Sequence, residues 1–403
     1  MERKNTLVSM GIGVLVFVLA ILMSVPSYAG EVRGVTGDTI KVGVVMDLTG
    51  PTATTQIPAK EAVVNYFRYI SDQGGIHGRK IKLYIEDDRY SVPLDIAVFK
   101  KLVFRDKVFS IIFLISSPSA RVLLPQMEKE KVPGTIIGLT EEVVIPTRRY
   151  MFMPVASYTD HVKVLFDYVM NDLKVKNPRM AYIGPDNEYG KTGYAAAQMS
   201  AEHYGIKIVD REFFSPGAVE AVSQVLLMKG AKPDFVISHN YVDNSIALLR
   251  DVRKMNFSIP FLGTSGSCTD DLVRIAGKAA ENYTGTHPFN SWYSHTPGIA
   301  KMKEIHKKYS PGTEKESRTG YHIFAWVSAM TFAEAMKRAG KDLNPDSMVN
   351  ALESFNNFDT GGLCAPITYG PDKHKGGNST MLFKADVEKG RLISVGDWRK
   401  PSF

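Results

Sequence analysis

Residues 109–120 read Phe109-Ser110-Ile111-Ile112-Phe113-Leu114-Ile115-Ser116-Ser117-Pro118-Ser119-Ala120. The first seven form a near-continuous apolar run, the pattern of a parallel strand covered on both faces. Three serines around a proline follow, and a hydroxyl residue before Pro at a first helical position starts a helix. Ala120 to Lys131 continues with helical spacing, Pro133 ends it, and Gly134-Thr135-Ile136-Ile137-Gly138 is the next strand, stopping at Leu139-Thr140. In an open parallel sheet, ligands sit beyond the carboxyl ends of strands. Unpaired N–H groups and the positive helix end attract an anion there, and hydroxyls add donors. The stretch therefore predicts a small carboxylate-sized anion held at Ser117, Ser119 and Thr140. The competing role for Ser117 is that of a helix cap alone.

Outward from this stretch the chain alternates strand and helix. Ile40–Met46 is a strand with exit loop Asp47-Leu48-Thr49-Gly50-Pro51. Helix Ile57–Asp72 ends at Gly74-Gly75, strand Ile81–Glu86 closes on Asp87-Asp88, and helix Pro93–Arg105 leads into the organising strand. A second series runs from helix Asp160–Leu173 through strands at Met180–Gly184, Ile206–Glu212, Asp234–Ser238, Pro260–Leu262 and Asn282–Thr286, with helices between them. Helices Thr296–Tyr309, Tyr321–Ala339 and one opened by Asn344-Pro345 follow, then terminal strands Ala365–Tyr369, Met381–Asp386 and Leu392–Val395. Such alternation means parallel sheets with helices on both faces. The fold class is α/β: two doubly wound parallel-sheet lobes joined by a hinge, with a cleft lined by strand-exit loops. Lobe 1 is expected over 38–158 plus 287–378 and lobe 2 over 159–286 plus 379–403.

The chain has 403 residues, 44% hydrophobic and 23% charged, enough for two domains with their own cores. Arg3-Lys4, an uncharged stretch Leu7–Val25 and Ser27-Tyr28-Ala29 form a basic, apolar and small-x-small series, predicting a signal peptide over 1–29 cleaved after Ala29 and a periplasmic mature chain; the apolar stretch is also long enough for the alternative of an uncleaved anchor. The formal charge is +7, spread without basic runs or aromatic interleaving, which argues against nucleic acid and mildly favours anionic ligands. Cys268 and Cys364 are the two cysteines. In an oxidising compartment they either pair or remain as buried thiols, and spacing leaves both open.

Taken together, Ile40–Pro51, Gly74 to Lys80, Glu86-Asp87-Asp88, Ser116–Ser119, Asn187-Glu188-Tyr189-Gly190 and Gly320-Tyr321 to Gly340 resemble type I periplasmic binding proteins. The nearest branch looks like the leucine/isoleucine/valine-binding proteins of branched-chain amino acid ABC transporters. The resemblance implies a clamshell with the ligand carboxylate on the serine turn, at Ser117 and Ser119. It implies that Gly138, Leu139 and Thr140 bind the polar head, and that Tyr189 and Tyr241 close over it. It further implies a branched-chain or other hydrophobic amino acid as ligand, an ABC permease as partner, a monomeric binding protein, and no cofactor or metal.

Three departures qualify what is implied. Ser265 stands where the family has the carboxylate that pairs with the ligand ammonium, and a serine cannot neutralise a buried charge. Asp243, Asp270, Asp271 and Glu141 are the nearby replacements. Thr55 stands near the aromatic expected in the first exit loop, and Tyr90 and Ser116 replace the family's small disulfide. Either the ammonium clamp moved, or the ligand is an aromatic or aliphatic carboxylate, or a keto acid, without an ammonium. Arg121 is a further candidate for holding a carboxylate.

An enzyme is not expected. Gly263-Thr264-Ser265-Gly266-Ser267 lacks the final glycine of a nucleophile elbow, and no HExxH, GxGxxG or P-loop occurs. A free ligand sensor for a membrane receptor is the other class that the pattern permits.

Overall fold

The computed structural model describes residues 31–313 and 318–403. The expected signal peptide lies outside them. No helix of the described residues is long and apolar enough to cross a membrane.

Two sheets form. The first contains β1 (Thr39–Met46), β2 (Lys80–Asp87), β3 (Ser110–Leu114), β4 (Gly134–Ile136) and β5 (Met151–Phe152), all parallel in the order β2-β1-β3-β4-β5. The second contains β6 (Arg179–Pro185), β7 (Lys207–Phe214), β8 (Phe235–Ser238), β9 (Phe261–Gly263), β10 (Tyr283–His287), β11 (Thr380–Asp386) and β12 (Arg391–Arg399), in the order β12-β11-β10-β9-β8-β6-β7. Its strands are parallel except at the β10–β11 and β11–β12 pairs, which are antiparallel.

Both sheets are covered on both sides, as apolar runs require. All five residues of β3 are buried. Successive side chains of a strand point to opposite faces, and β6 divides accordingly. Met180 and Tyr182 join the cluster with Val164, Leu165 and Ala197, whereas Ala181 and Ile183 join that with Val225, Leu249 and Phe261.

The helix Gly320–Ala339 lies against the helix Ala53–Asp72 that follows β1. The Trp326 ring meets Tyr66 edge-on at 5.0 Å, and His322 Nδ1 donates to the Pro58 carbonyl at 2.8 Å. Residues far along the chain thus return to the first sheet before β11 and β12 extend the second. The expected strand Ala365–Tyr369 does not form. It is reduced to an Ile367–Phe358 bridge, because Pro366 has no N–H to offer a ladder.

One crossing between the sheets is tied by a partly buried ion cluster. Met153 N–H donates to His374 O at 2.9 Å and Gly376 N–H to Met153 O at 2.7 Å. Lys375 Nζ reaches Glu141 Oε1 at 2.6 Å and Asp160 Oδ2 at 2.9 Å, and Ser157 Oγ donates to Glu141 at 2.8 Å. Ser157 and Asp160 also form a capping box at the start of the helix Tyr158–Asp167. Cys268 and Cys364 are both free and buried, which closes the alternative left open by sequence.

Removing the ammonium leaves the buried Asp160 carboxylate and the half-buried Glu141 carboxylate without their cation. Lys375→Met is expected to cost about 3 kcal/mol and lower the melting temperature by several degrees, read by differential scanning calorimetry at neutral pH.

Candidate functional site

The exit loops of β1, β2, β3, β4, β6, β8 and β9 converge on one cavity. The helix at its centre starts earlier than the sequence pattern suggests, spanning Ser117–Glu130 rather than beginning at Ala120. Ser116, not Ser117, is its N-cap: the Ser116 Oγ accepts from the Ser119 N–H at 3.2 Å. Ser116 and Ser117 both line the cavity wall, and with Pro118 lacking an N–H and the Ser119 N–H capped, Ser117 carries the first-turn N–H without an intrahelical acceptor.

Ser119 and Thr140 require correction. Ser119 falls in the first helical turn and faces inward. Its hydroxyl donates to Asp95 and lies 2.8 Å from Ser116 Oγ, with no exposure to the cavity. Thr140 is equally buried, and its hydroxyl donates to Glu142. Gly138 contributes close approach rather than a lining atom. A Cβ there would lie 3.2 Å from the Ser117 nitrogen and 3.3 Å from the Ile115 carbonyl, so the β4 exit packs directly onto the serine turn.

Ser117, Tyr189 and Tyr241 line one chamber, together with Tyr90, Tyr158, Tyr321 and Thr55. Leu139 and Ser265 line an adjoining arm whose other walls include Ile137, Pro288, Phe289 and Phe324. Tyr158 and Tyr321 border both spaces.

Tyr90, Tyr158 and Tyr321 escaped the residue-by-residue assignment. Each carried a signal. Tyr90 lies two residues after Asp87-Asp88 at a strand exit, Tyr158 opens a helix after a crossing, and Tyr321 stands at the start of a long helix. Arg89 and Tyr90 both adopt left-handed backbone, at φ of 51° and 57°. Side-chain residues pay for that conformation, and two aspartates hold it: Asp87 Oδ1 accepts from Arg89 N–H and Asp88 Oδ1 from Tyr90 N–H, both at 3.0 Å. Asp47 does the same for the β1 exit, accepting from Thr52 N–H at 2.7 Å and Thr52 Oγ1 at 2.8 Å.

The turn aims Tyr90 at the loop after β8. The Tyr90 and Tyr241 hydroxyls lie 2.8 Å apart, with rings at 89°, and Asn187 Nδ2 donates to Tyr241 Oη at 3.1 Å. Tyr189 stacks on Tyr241 at 5.1 Å and meets Tyr158 edge-on at 5.0 Å. Burial raises the pKa of all five phenols, so each keeps its proton and remains a donor. His239, against Tyr189 and Tyr158, is pushed down to about 3 by burial, and His287 likewise, so neither adds charge at neutral pH.

Among the described residues, no aspartate or glutamate lines the chamber beside Ser117. Of the four replacement carboxylates, Glu141 is held by Lys375 and Ser157, Asp270 accepts from Leu392 N–H at 2.7 Å, and Asp271 pairs with Arg274 at 2.6 Å. Asp243 is exposed at a neighbouring mouth beside Tyr241. Arg121 pairs with Glu188 at 2.8 Å near the surface and is not part of the chamber.

The model of the periplasmic binding protein family matches residues 39–391. The chain belongs to that family. Among its relatives, the leucine-, isoleucine-, valine-, threonine- and alanine-binding protein of Pseudomonas aeruginosa is 22% identical over 325 residues, covering 80% of this chain and 84% of that protein. The Leu/Ile/Val-binding protein of Escherichia coli is 24% identical over 335 residues, covering 82% and 86%. Two solved structures share the fold. A branched-chain amino acid ABC transporter protein from Thermus thermophilus with bound valine has a TM-score of 0.84 at 22% identity, covering 91% of this chain and 98% of that one. A fatty acid ABC transporter substrate-binding protein from Thermomonospora curvata has a TM-score of 0.83 at 21% identity, covering 94% and 96%.

Within this periplasmic binding protein, Gly266 sets the position of Tyr189. A Cβ at 266 would lie 2.1 Å from Tyr189 Oη and 2.6 Å from the Asn240 carbonyl. Gly266→Ala is expected to displace the Tyr189 ring and cost about 2 kcal/mol by overpacking, measured as a lower melting temperature and an altered tyrosine near-UV circular dichroism signal.

Proposed function

We propose that this chain is the exported substrate-binding component of an ABC importer and that it carries a small carboxylate-bearing ligand. The head group lies at the start of the helix Ser117–Glu130, accepting from the hydroxyl and the backbone N–H of Ser117. Lobe 1, 38–158 plus 287–378, presents that surface. Lobe 2, 159–286 plus 379–403, brings Tyr189 and Tyr241 over it, and the closed form engages the permease as a monomer. The leader over 1–29 delivers the chain to the periplasm. Closure follows from contacts that the ligand makes better in the closed state. The role is binding rather than catalysis, in keeping with relatives that are named for what they bind.

One observation carries the choice of ligand. Among the described residues the chamber offers neutral O–H and N–H donors and no carboxylate, and Ser265 stands where the resemblance implies the family's acid. A desolvated primary ammonium there would lack a charged partner, at a cost of several kcal/mol. A carboxylic acid with an apolar or aromatic body and no ammonium has no such deficit, and Leu139, Pro288, Phe289 and Phe324 give the adjoining arm apolar walls. A branched-chain or other hydrophobic amino acid is the second reading. It is favoured by the names of the relatives and requires Asp243 to reach inward.

Ligands that bind only the folded state raise its melting temperature. Isocaproate and hydrocinnamate are expected to stabilise the protein in thermal-shift assays, and leucine and phenylalanine are not. The opposite ranking would replace the first ligand class by the second. Ser117→Ala is expected to weaken binding of the effective acid about tenfold, the loss of one hydrogen bond to a charged group, with unchanged calorimetric affinity removing the serine-turn assignment.

A further inference from the structure

Behind the serine turn, away from the ligand chamber, lies a set of buried groups that ligand contact does not use. Asp88, Asp95 and Ser119 are each fully buried. Ser119 Oγ donates to Asp95 Oδ2. Because that hydroxyl has a single hydrogen, the 2.8 Å contact between the two serine hydroxyls runs from Ser116 O–H to Ser119 Oγ. Two carboxyl oxygens remain, Asp95 Oδ1 and Asp88 Oδ2, and neither has a partner among nitrogen or hydroxyl donors of the described residues. The Asp88 and Asp95 carboxyls lie within hydrogen-bonding reach of each other; as two carboxylates they would repel, whereas one proton between them turns repulsion into a hydrogen bond.

We propose that Asp88 and Asp95 share one proton and that this shared proton, acting through Ser119 and Ser116, sets the serine turn for an anionic ligand. Asp95 is then a positioning residue. It draws the Ser119 hydrogen inward, Ser119 draws the Ser116 hydrogen inward, and Ser117 is left as the hydroxyl that faces the chamber. The shared proton also keeps a second negative charge from forming behind a bound carboxylate. The inference rests on the serine turn as an anion site.

The surrounding charges agree with it. Asp88 faces Asp47 at the β1 exit and Asp87 at the end of β2, the latter with Arg89 Nε at 3.9 Å, and its own pKa is raised chiefly by burial. Asp95 is pushed up to about 8, first by burial and then by the Asp88 charge. Its folded-state value therefore lies above its unfolded value. The native pair holds a proton that the unfolded chain releases near pH 4, so this group lowers stability as pH climbs from about 4 to about 8, with no further loss above that.

The test compares the full-length mature protein with Asp95→Asn and Asp95→Ala. The asparagine amide donates to Asp88 and its carbonyl accepts from Ser119, as the protonated acid does, whereas alanine does neither. Without ligand, the melting temperature of the wild type is expected to fall relative to that of Asp95→Asn between pH 5 and pH 8. A constant difference over that range would overturn the shared proton whatever the ligand. With isocaproate as probe, wild-type affinity is expected to fall about tenfold from pH 7 to pH 9.5 as the pair ionises, Asp95→Asn to show a flat profile, and Asp95→Ala to bind more weakly at every pH. Parallel profiles for wild type and Asp95→Asn would overturn the positioning role. If no acid binds, the ligand proposal fails and the positioning role falls with it, while the ligand-free melting comparison still decides the shared proton.

Discussion

A parallel strand that runs into a helix leaves N–H groups unpaired at the strand's carboxyl end, and burial does not tolerate them unpaired. Most of the site follows from how these groups are satisfied. Ser116, Ser157, Asn187 and Thr269 each cap the helix that follows them with a side-chain oxygen. What the cap at Ser116 leaves over, on the cavity side, is Ser117: Pro118 has no N–H, the Ser119 N–H goes to the cap and the Ala120 N–H to the Ser116 carbonyl. A site of this kind needs no cationic side chain to hold an anion, because the dipoles are fixed before the ligand arrives.

Fixing those dipoles takes a second tier of groups, and here that tier is acidic. Asp47, Asp87 and Asp88 spend their oxygens on backbone N–H groups of the exit loops, holding Thr52 and the left-handed pair Arg89 and Tyr90. Asp95 holds Ser119. The acids that lie closest to the serine turn thus shape loops and are not among the residues that line the chamber. The result is a chamber walled by phenols and hydroxyls, with its negative charges behind the wall. An amino acid ligand asks for the reverse arrangement, with one acid exposed to its ammonium.

Tyrosine carries much of the contact between the loops of the two sheets. Tyr90 and Tyr241 meet by their hydroxyls, and Tyr158 and Tyr189 by their rings. A phenol buries a large apolar face and still offers a donor, so the same side chains seal the space from water and supply its polarity. Gly266 and Gly138 matter for the opposite reason: the absence of a Cβ lets Tyr189 and the serine turn come as close as they do.

The sequence by itself determined the alternation of strand and helix, the use of strand exits as the site, and Ser117, Leu139, Tyr189, Tyr241 and Ser265 as residues around the cavity. These are local properties: an apolar run fixes a buried strand, and a hydroxyl beside proline fixes a helix start. Tertiary structure decided which hydroxyl faces which way. Ser119 and Thr140 have the right chemistry at the right loops, yet a helix beginning at Ser117 turns Ser119 toward Asp95, and Glu142 captures Thr140. It also decided that Tyr90 and Tyr321, 231 positions apart in number, share one chamber, and that Cys268 and Cys364 stay apart. The physical reason is that a residue's type sets which bonds it can make, while the partner that reaches it first is set by packing across the whole chain.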